Sequence, residues 1–132
     1  MKKWLKRIGI GIGVILLAAA LFIGYFMYRV TKGMPFYESE IPEIVFKEGK
    51  KSILLFSKTN GFNHKSAIVA GKKVFRQMAE ENDWFIYETD EAGVFNAEQL
   101  AKFDAVIWNN VSGQVLNEEQ RVDFREYLEN GG

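Results

Sequence analysis

An unbroken apolar run from residue 8 to residue 28 dominates the start of the chain, and it contains no charged side chain. As an α-helix, its 21 residues rise about 31 Å, close to the thickness of the bilayer hydrocarbon. The run predicts a membrane-spanning helix within an anchor segment 1–30, with the lipid bilayer as partner of residues 8–28. A cleaved signal peptide is the alternative, although its apolar core is normally about 7–15 residues long.

Basic side chains flank this run unequally. Four precede it and two follow it: Lys2, Lys3, Lys6 and Arg7, then Arg29 and Lys32. Because the flank richer in Lys and Arg stays in the cytoplasm, we expect a single-pass protein with a cytoplasmic N-terminus and an extracytoplasmic soluble part. Gly9 and Gly13 have the spacing that lets two membrane helices approach closely and form a homo-oligomer, but the favoured interpretation is that glycine is simply common in such helices.

Residues 31–51 mix both prolines of the chain with charges and glycines, a composition that predicts a stalk between the anchor and the folded part. Within it, Ile44-Val45-Phe46 has the character of a short edge strand.

From Ser52 onward, short apolar runs alternate with amphipathic segments. The apolar runs predict strands at residues 52–57, 84–87 and 105–108. The segments between and after them predict helices at 66–82, 96–103 and 117–130, the last two starting at Asn-x-x-Gln capping sequences. This alternation predicts an α/β fold with a parallel sheet and helices on both faces. Since the residues stop where a fourth strand is due, we expect 52–132 to be a fragment of a larger domain.

The formal net charge is zero, but the two ends of the chain differ. Residues 1–32 carry six basic and no acidic side chains, whereas residues 33–132 carry 11 basic and 17 acidic ones. An acidic soluble part argues against a nucleic-acid partner. The chain has no cysteine, which excludes disulfides, thiolate metal sites and a cysteine nucleophile within these residues.

Polar loops follow all three predicted strands, the second loop containing Thr89, Asp90 and Glu91, and ligands of open parallel sheets bind at that edge. The first loop contains His64, the only histidine, and we predict that it acts as an acid/base group because imidazole titrates near neutrality. Together the amide and hydroxyl groups of these three loops suit a polyhydroxylated ligand such as a saccharide. The predicted ligand-binding residues are Asn60, Gly61, Asn109, Asn110 and Ser112. The pattern indicates no metal site and identifies no cofactor.

Each of these residues also has a plainer interpretation. A histidine at the start of a helix can cap it or pack against it. Asparagine and glycine are common in ordinary turns because they tolerate left-handed backbone. Asn110-Val-Ser112 also fits the acceptor sequence for N-glycosylation.

Three stretches resemble a known family: Ile53–His64, Phe103–Trp108 and Val115–Gly132. In this order they are similar to the trehalose-utilisation (ThuA-like) family, over residues 52–132. The resemblance implies a link to sugar metabolism and a three-layer α/β/α sandwich, flavodoxin-like and similar to the class I glutamine amidotransferases. It does not imply amidotransfer. The family pattern Gly-aromatic-x-His corresponds to Gly61, Phe62 and His64, with Asn63 where relatives often have a basic residue.

Two functions from different classes follow from these expectations. The first is a membrane-anchored protein that binds or processes a sugar, in trehalose or related keto-sugar metabolism. The second is a non-catalytic module that senses sugars or recruits partners at the membrane. The sequence alone does not decide whether the protein is an enzyme.

Overall fold

The computed structural model describes residues 2–33 and 35–132. In chain order its elements are α1 (Lys2–Lys32), β1 (Ser52–Phe56), α2 (Lys65–Asn82), β2 (Phe85–Thr89), a 3₁₀ turn (Ala92–Val94), α3 (Ala97–Leu100), β3 (Ala105–Trp108) and α4 (Glu118–Glu129). The predicted alternation of strands and helices after residue 51 is confirmed. The 3₁₀ turn was not predicted.

The three strands form a parallel sheet in the order β2-β1-β3. In its register, Leu54 of the central strand lies opposite Tyr87 and Val106. All five residues of β1 are buried, which explains why this strand is a continuous apolar run in the sequence. The two crossovers run in opposite directions across the sheet, so right-handed connections put α2 on one face and α3 on the other. The predicted α/β architecture is thus confirmed.

The main hydrophobic core lies between the sheet and the α3–α4 pair. Phe56 contacts Phe95 with their ring centroids 4.6 Å apart, and Phe95 contacts Phe124 at 5.2 Å. Because side chains alternate along a strand, Leu55, next to Phe56, points to the opposite face of the sheet, on the side of α2.

The two predicted helix caps differ in detail. At α4, Asn117 and Gln120 each bond the other's backbone amide, which is the predicted reciprocal cap. At α3, Asn96 accepts from the Gln99 amide, but the Gln99 side chain reaches the Pro42 carbonyl at 3.4 Å instead of returning the bond. The predicted helix to residue 103 was too long, because α3 ends at Leu100 and only turns follow it.

Residues 35–47, which the sequence predicts as part of a stalk, lie against the folded domain; we call them the strap. Residues 44–46 form no strand, so that prediction was wrong. Instead Ile44 and Phe46 pack against the core, and the Phe46 ring lies 5.1 Å from that of Phe103. The strap finds its partners among core side chains rather than at a sheet edge.

Helix α1 contains one stretch, Lys3–Thr31, that is long and apolar enough by length and composition to cross a membrane, and none of it is buried by the rest of the chain. Gly33, the residue after the helix, has a left-handed φ of 72° and donates its amide to the Arg29 carbonyl. A Cβ at Gly33 would lie 2.0 Å from the Asn60 carbonyl oxygen. Only glycine therefore allows the end of α1 to approach the loop after β1 this closely.

Candidate functional site

The loops after β1 and β3 meet at the carboxyl edge of the sheet, as predicted. We call residues 57–64 loop 1 and residues 109–117 loop 3. Thr59 pairs with Ser112 in an isolated parallel bridge. The amides of Asn60 and Gly61 both donate to the Ser112 carbonyl, at 2.9 and 3.1 Å. The backbones of the two loops are therefore joined directly.

A close approach of two glycines supports this junction. Gly113 has a left-handed φ of 77°, and a Cβ added there would lie 2.7 Å from the Gly61 nitrogen. Beside it, the Ser112 hydroxyl donates to the Phe62 carbonyl at 2.6 Å. The position predicted for Ser112 beside loop 1 is thus observed, and its hydroxyl already has a partner within the protein.

Asn60 links three parts of the chain. Its side-chain nitrogen donates to the Phe36 carbonyl in the strap at 3.0 Å and to the Gln114 carbonyl in loop 3 at 2.6 Å. Both bonds use donor hydrogens of the amide. The Asn60 side-chain oxygen is the group left to meet a ligand.

Asn109 is buried beneath α2 rather than open at the edge. Its side-chain nitrogen donates to the Ile68 carbonyl at 3.0 Å and to the Ser57 hydroxyl at 3.3 Å. A Cβ on Gly71 would lie 2.2 Å from the Asn109 side-chain oxygen, so α2 approaches this side chain through a glycine. The same oxygen accepts from Asn110, which is exposed and has a left-handed φ of 56°.

His64 occupies the N-cap position of α2 but makes no side-chain capping hydrogen bond. It is exposed, and its ring packs edge-on against Phe62 with centroids 4.6 Å apart. The ring borders an open depression that also includes Asn63, Ser66 and Val69. Of the two plainer interpretations of His64, side-chain capping is not observed, whereas packing is, through the contact with Phe62.

The structure joins Asn60 and Gly61 directly to Ser112, and it gives Asn109, Asn110 and His64 different surroundings. The Asn109 side chain donates to the Ile68 carbonyl, and the Ile68 amide donates to the His64 carbonyl. Asn109 and His64 are thus both connected to the first turn of α2. His64 and Asn110 are open to solvent, whereas Asn109 is buried. Their binding and catalytic roles stay predictions.

A buried ion pair at this edge was not predicted. Lys58 is the second residue after β1, its side chain is only 7% exposed, and its ammonium contacts the Glu38 carboxylate of the strap. Lys58 also lies 5.2 Å from the Phe36 ring centroid. The pair borders a second cleft with Asp90 and Glu91. The sequence offered one signal of this ion pair, a lysine immediately after the predicted strand 52–57.

Glu38 is ionised more readily than an ordinary glutamate. Burial alone would raise the pKa of its carboxyl group, but hydrogen bonds from Lys58 and from the Ala92 amide, with the charge of Lys58, lower it below the usual value. The Ala92 bond is 2.9 Å long. The ionised Glu38 carboxylate thus holds the strap against the candidate site through Lys58 and the Ala92 amide.

Among residues 2–33 and 35–132, no group of three or more metal-binding side chains is placed to hold a metal ion.

Comparison with known proteins gives one match. The model of a family described as ThuA, trehalose utilisation, matches residues 52–132, which is more than half of the chain. No curated protein and no solved structure matches significantly.

Proposed function

The chain belongs to the trehalose-utilisation (ThuA) family, and from that premise we propose that it is a membrane-anchored protein whose α/β domain binds or processes a saccharide. The family description supports a role in trehalose or related keto-sugar metabolism. The site that we assign to the saccharide lies where loops 1 and 3 meet.

The observation that carries this proposal is the junction of the two loops next to His64. The Ser112 carbonyl accepts from both Asn60 and Gly61, and the Ser112 hydroxyl bonds the residue after Gly61. These bonds hold the exposed groups of one short edge in place. A saccharide at this edge would meet the His64 imidazole and the Asn110 amide, a mixture of groups that suits hydroxyl-rich ligands.

His64 is the group that we assign to proton transfer. A neutral imidazole carries one nitrogen that accepts and one that donates, so it can accept a proton from a sugar hydroxyl or from the carbon beside a keto group and return it later. The residue is exposed and makes no side-chain capping hydrogen bond, which favours its contact with a ligand.

The second candidate function is a non-catalytic saccharide-binding module, and one observation favours it. A general base is ordinarily held in one orientation by a third group. The contact described for the His64 ring is the Phe62 ring, which offers no hydrogen bond to orient a nitrogen. In this alternative His64 and Asn110 bind the ligand, and no reaction of the ligand is catalysed.

Helix α1 supports the membrane part of the proposal. Its apolar stretch is long enough to span a bilayer, and the domain leaves it fully exposed. With four basic residues before the apolar run and two after it, we assign the N-terminus to the cytoplasm and the domain to the other side.

The experiment that tests this function compares the full-length protein in detergent micelles with His64→Ala. Disaccharides and keto-sugars are offered, binding is measured by calorimetry, and turnover is followed by chromatography of the products. If His64 transfers a proton, its loss lowers turnover by about 10²–10⁴-fold while binding changes little. Lys73→Ala, an exposed change on the same helix, is the control and keeps full turnover.

Other outcomes separate the two candidates. Saccharide binding without turnover in the wild type favours the binding module, and His64→Ala then weakens binding instead. Turnover that is equal in the wild type and His64→Ala removes His64 from the chemistry. A wild type that neither binds nor converts any saccharide contradicts both functions.

A further inference from the structure

Two exposed phenylalanines distinguish one end of the folded domain. Phe36 is 65% exposed and Phe62 is 60% exposed, whereas the other seven phenylalanines of residues 35–132 are buried or half-buried. The Phe36 ring lies near the Lys58 ammonium and the Phe62 ring contacts His64, but both residues stay mostly exposed. Exposed apolar side chains that lie close together can mark a surface that meets an apolar partner.

Both phenylalanines lie beside the end of α1. The Phe36 carbonyl accepts from the Asn60 side chain, and Phe62 follows two residues after Asn60. Asn60 in turn is the residue whose carbonyl packs against Gly33 at the end of α1. Arg29 and Val30 of α1 also line a cavity of about 350 Å³ together with Phe62. Phe62 therefore lies beside the point where α1 meets the domain, and Phe36 is connected to the same point through Asn60.

The depth of this point follows from the length of the helix. Gly33 lies five residues after Tyr28, the last residue of the apolar run, which corresponds to about 7.5 Å along a helix. The headgroup layer on each side of a bilayer is about 5–7.5 Å thick. If residues 8–28 fill the hydrocarbon, Gly33 and the Asn60 carbonyl against it lie at headgroup level. Phe62 lines a cavity together with Arg29 and Val30, which precede Gly33 on α1 and so lie nearer the hydrocarbon.

We propose that Phe36 and Phe62 seat the folded domain on the bilayer surface around the end of α1. This inference rests on the membrane crossing in the proposed function. Aromatic rings are favoured at the membrane interface, because an apolar ring gains from burial there. The exposed Lys65, three residues after Phe62, adds a cation suited to lipid phosphates. Seating fixes the orientation of the domain and sets His64, whose ring contacts Phe62, at the level of the headgroups.

The absence of cysteine makes a direct test available, because one introduced cysteine carries the only label. The full chain is reconstituted in phosphatidylcholine–phosphatidylglycerol vesicles with an environment-sensitive fluorophore at Phe36→Cys or Phe62→Cys. Val45→Cys is the control: it is 84% exposed, and its neighbour Phe46 packs on Phe85 and Phe103 at the opposite edge of the sheet. Ile15→Cys, in the middle of the apolar run, reports the membrane crossing.

Lipids with a quencher near the headgroup should quench the labels at positions 36 and 62 at least about twofold more than the label at 45, because only the former lie in the interface. Lipids quenched deep in the acyl chain should quench the label at position 15. Equal quenching at 36, 62 and 45, with position 15 quenched, overturns the seating and leaves the anchor intact. If position 15 is not quenched either, the membrane crossing fails and the seating fails with it.

Discussion

At the scale of single residues, Glu38 joins the strap to the candidate site. Its carboxylate accepts from the buried Lys58 ammonium and from the Ala92 amide. We expect Glu38→Gln to lower the free energy of unfolding by about 3 kcal/mol at neutral pH, because it leaves the Lys58 charge buried without a partner. Denaturant titration of the full chain in micelles, followed by tryptophan fluorescence, measures this change.

The same carboxylate predicts how stability depends on pH. Because the pKa of Glu38 is lowered in the folded state, its stabilisation is complete above the unfolded pKa and is lost as pH falls through the folded value. The difference between the wild type and Glu38→Gln should therefore shrink below about pH 4.5. Glu43→Gln, an exposed change in the same strap, is the control. A difference that stays constant down to acid pH contradicts this assignment.

Gly71 and Asn109 form a second pair whose contact can be tested. In Gly71→Ala the new Cβ would lie 2.2 Å from the Asn109 side-chain oxygen, so the buried amide has to move. We expect a loss of about 1–3 kcal/mol of stability, since the displaced Asn109 loses its bonds to Ile68 and Ser57. Thermal unfolding of the full chain measures it.

The matched control for this pair is a double variant. In an Asn109→Ala background the clash is absent, so Gly71→Ala should be neutral or stabilising, because alanine is favoured over glycine in a helix by about 1 kcal/mol. An equal cost of Gly71→Ala in both backgrounds would show that Asn109 is not the obstacle.

Part of the site could be predicted at this scale, and part could not. Residue type and position after a strand correctly placed Asn60 and Ser112 where loops 1 and 3 meet. The pattern could not reveal which amides the protein itself would occupy. The partners of the Asn60 side chain are 24 and 54 residues away in the chain, and that of Lys58 is 20 residues away, so only the folded chain defines them.

At the scale of elements, the strap illustrates where local pattern fails. Ile44-Val45-Phe46 has strand-like side chains, but strand formation depends on a neighbouring strand as much as on residue type. Here Ile44 and Phe46 pack against core side chains. Three further contacts hold the strap in place: the Gln99 side chain donates to the Pro42 carbonyl, the Glu40 carbonyl lies close to Gly93, and the Glu38 carboxylate contacts Lys58. The caps of α3 and α4 were easier to predict because their partners are three residues apart.

Gly93 allows the strap to lie close to the 3₁₀ turn, and this contact yields a prediction. A Cβ at Gly93 would lie 1.8 Å from the Glu40 carbonyl oxygen, a backbone atom that cannot rotate away. Gly93→Ala should therefore displace the strap and speed hydrogen exchange and proteolysis within residues 35–47, while the sheet keeps its protection. Gly9→Ala, where a Cβ meets open space, is the control. Unchanged protection of the strap would contradict the contact.

At the scale of the whole molecule, the α/β arrangement after residue 51 was predictable because each strand is a short apolar run and each long helix is amphipathic. The position of the strap and the meeting of α1 with Asn60 were not, since both depend on contacts between segments far apart in sequence. A homo-oligomer through Gly9 and Gly13 stays a prediction. A Cβ at either glycine would meet no atom within 4 Å, so this face of α1 is open to a second helix.

The orientation of the molecule decides which compartment the candidate site faces. With most basic residues before the apolar run, the domain should lie outside the cytoplasm. A membrane-impermeant maleimide applied to intact cells that produce the chain should then label Val45→Cys but not Trp4→Cys, a position that keeps every flanking charge. After permeabilisation both variants should be labelled.

The wild type, which has no cysteine, sets the background of this experiment. The label on the Trp4→Cys variant also tests the alternative of a cleaved signal peptide. Cleavage would remove residue 4, so a label recovered on a chain of uncleaved size excludes it. Labelling of Trp4→Cys in intact cells together with protection of Val45→Cys would reverse the orientation. His64 and the junction of loops 1 and 3 would then face cytoplasmic saccharides, and the excess of basic residues before the run would not have determined the topology.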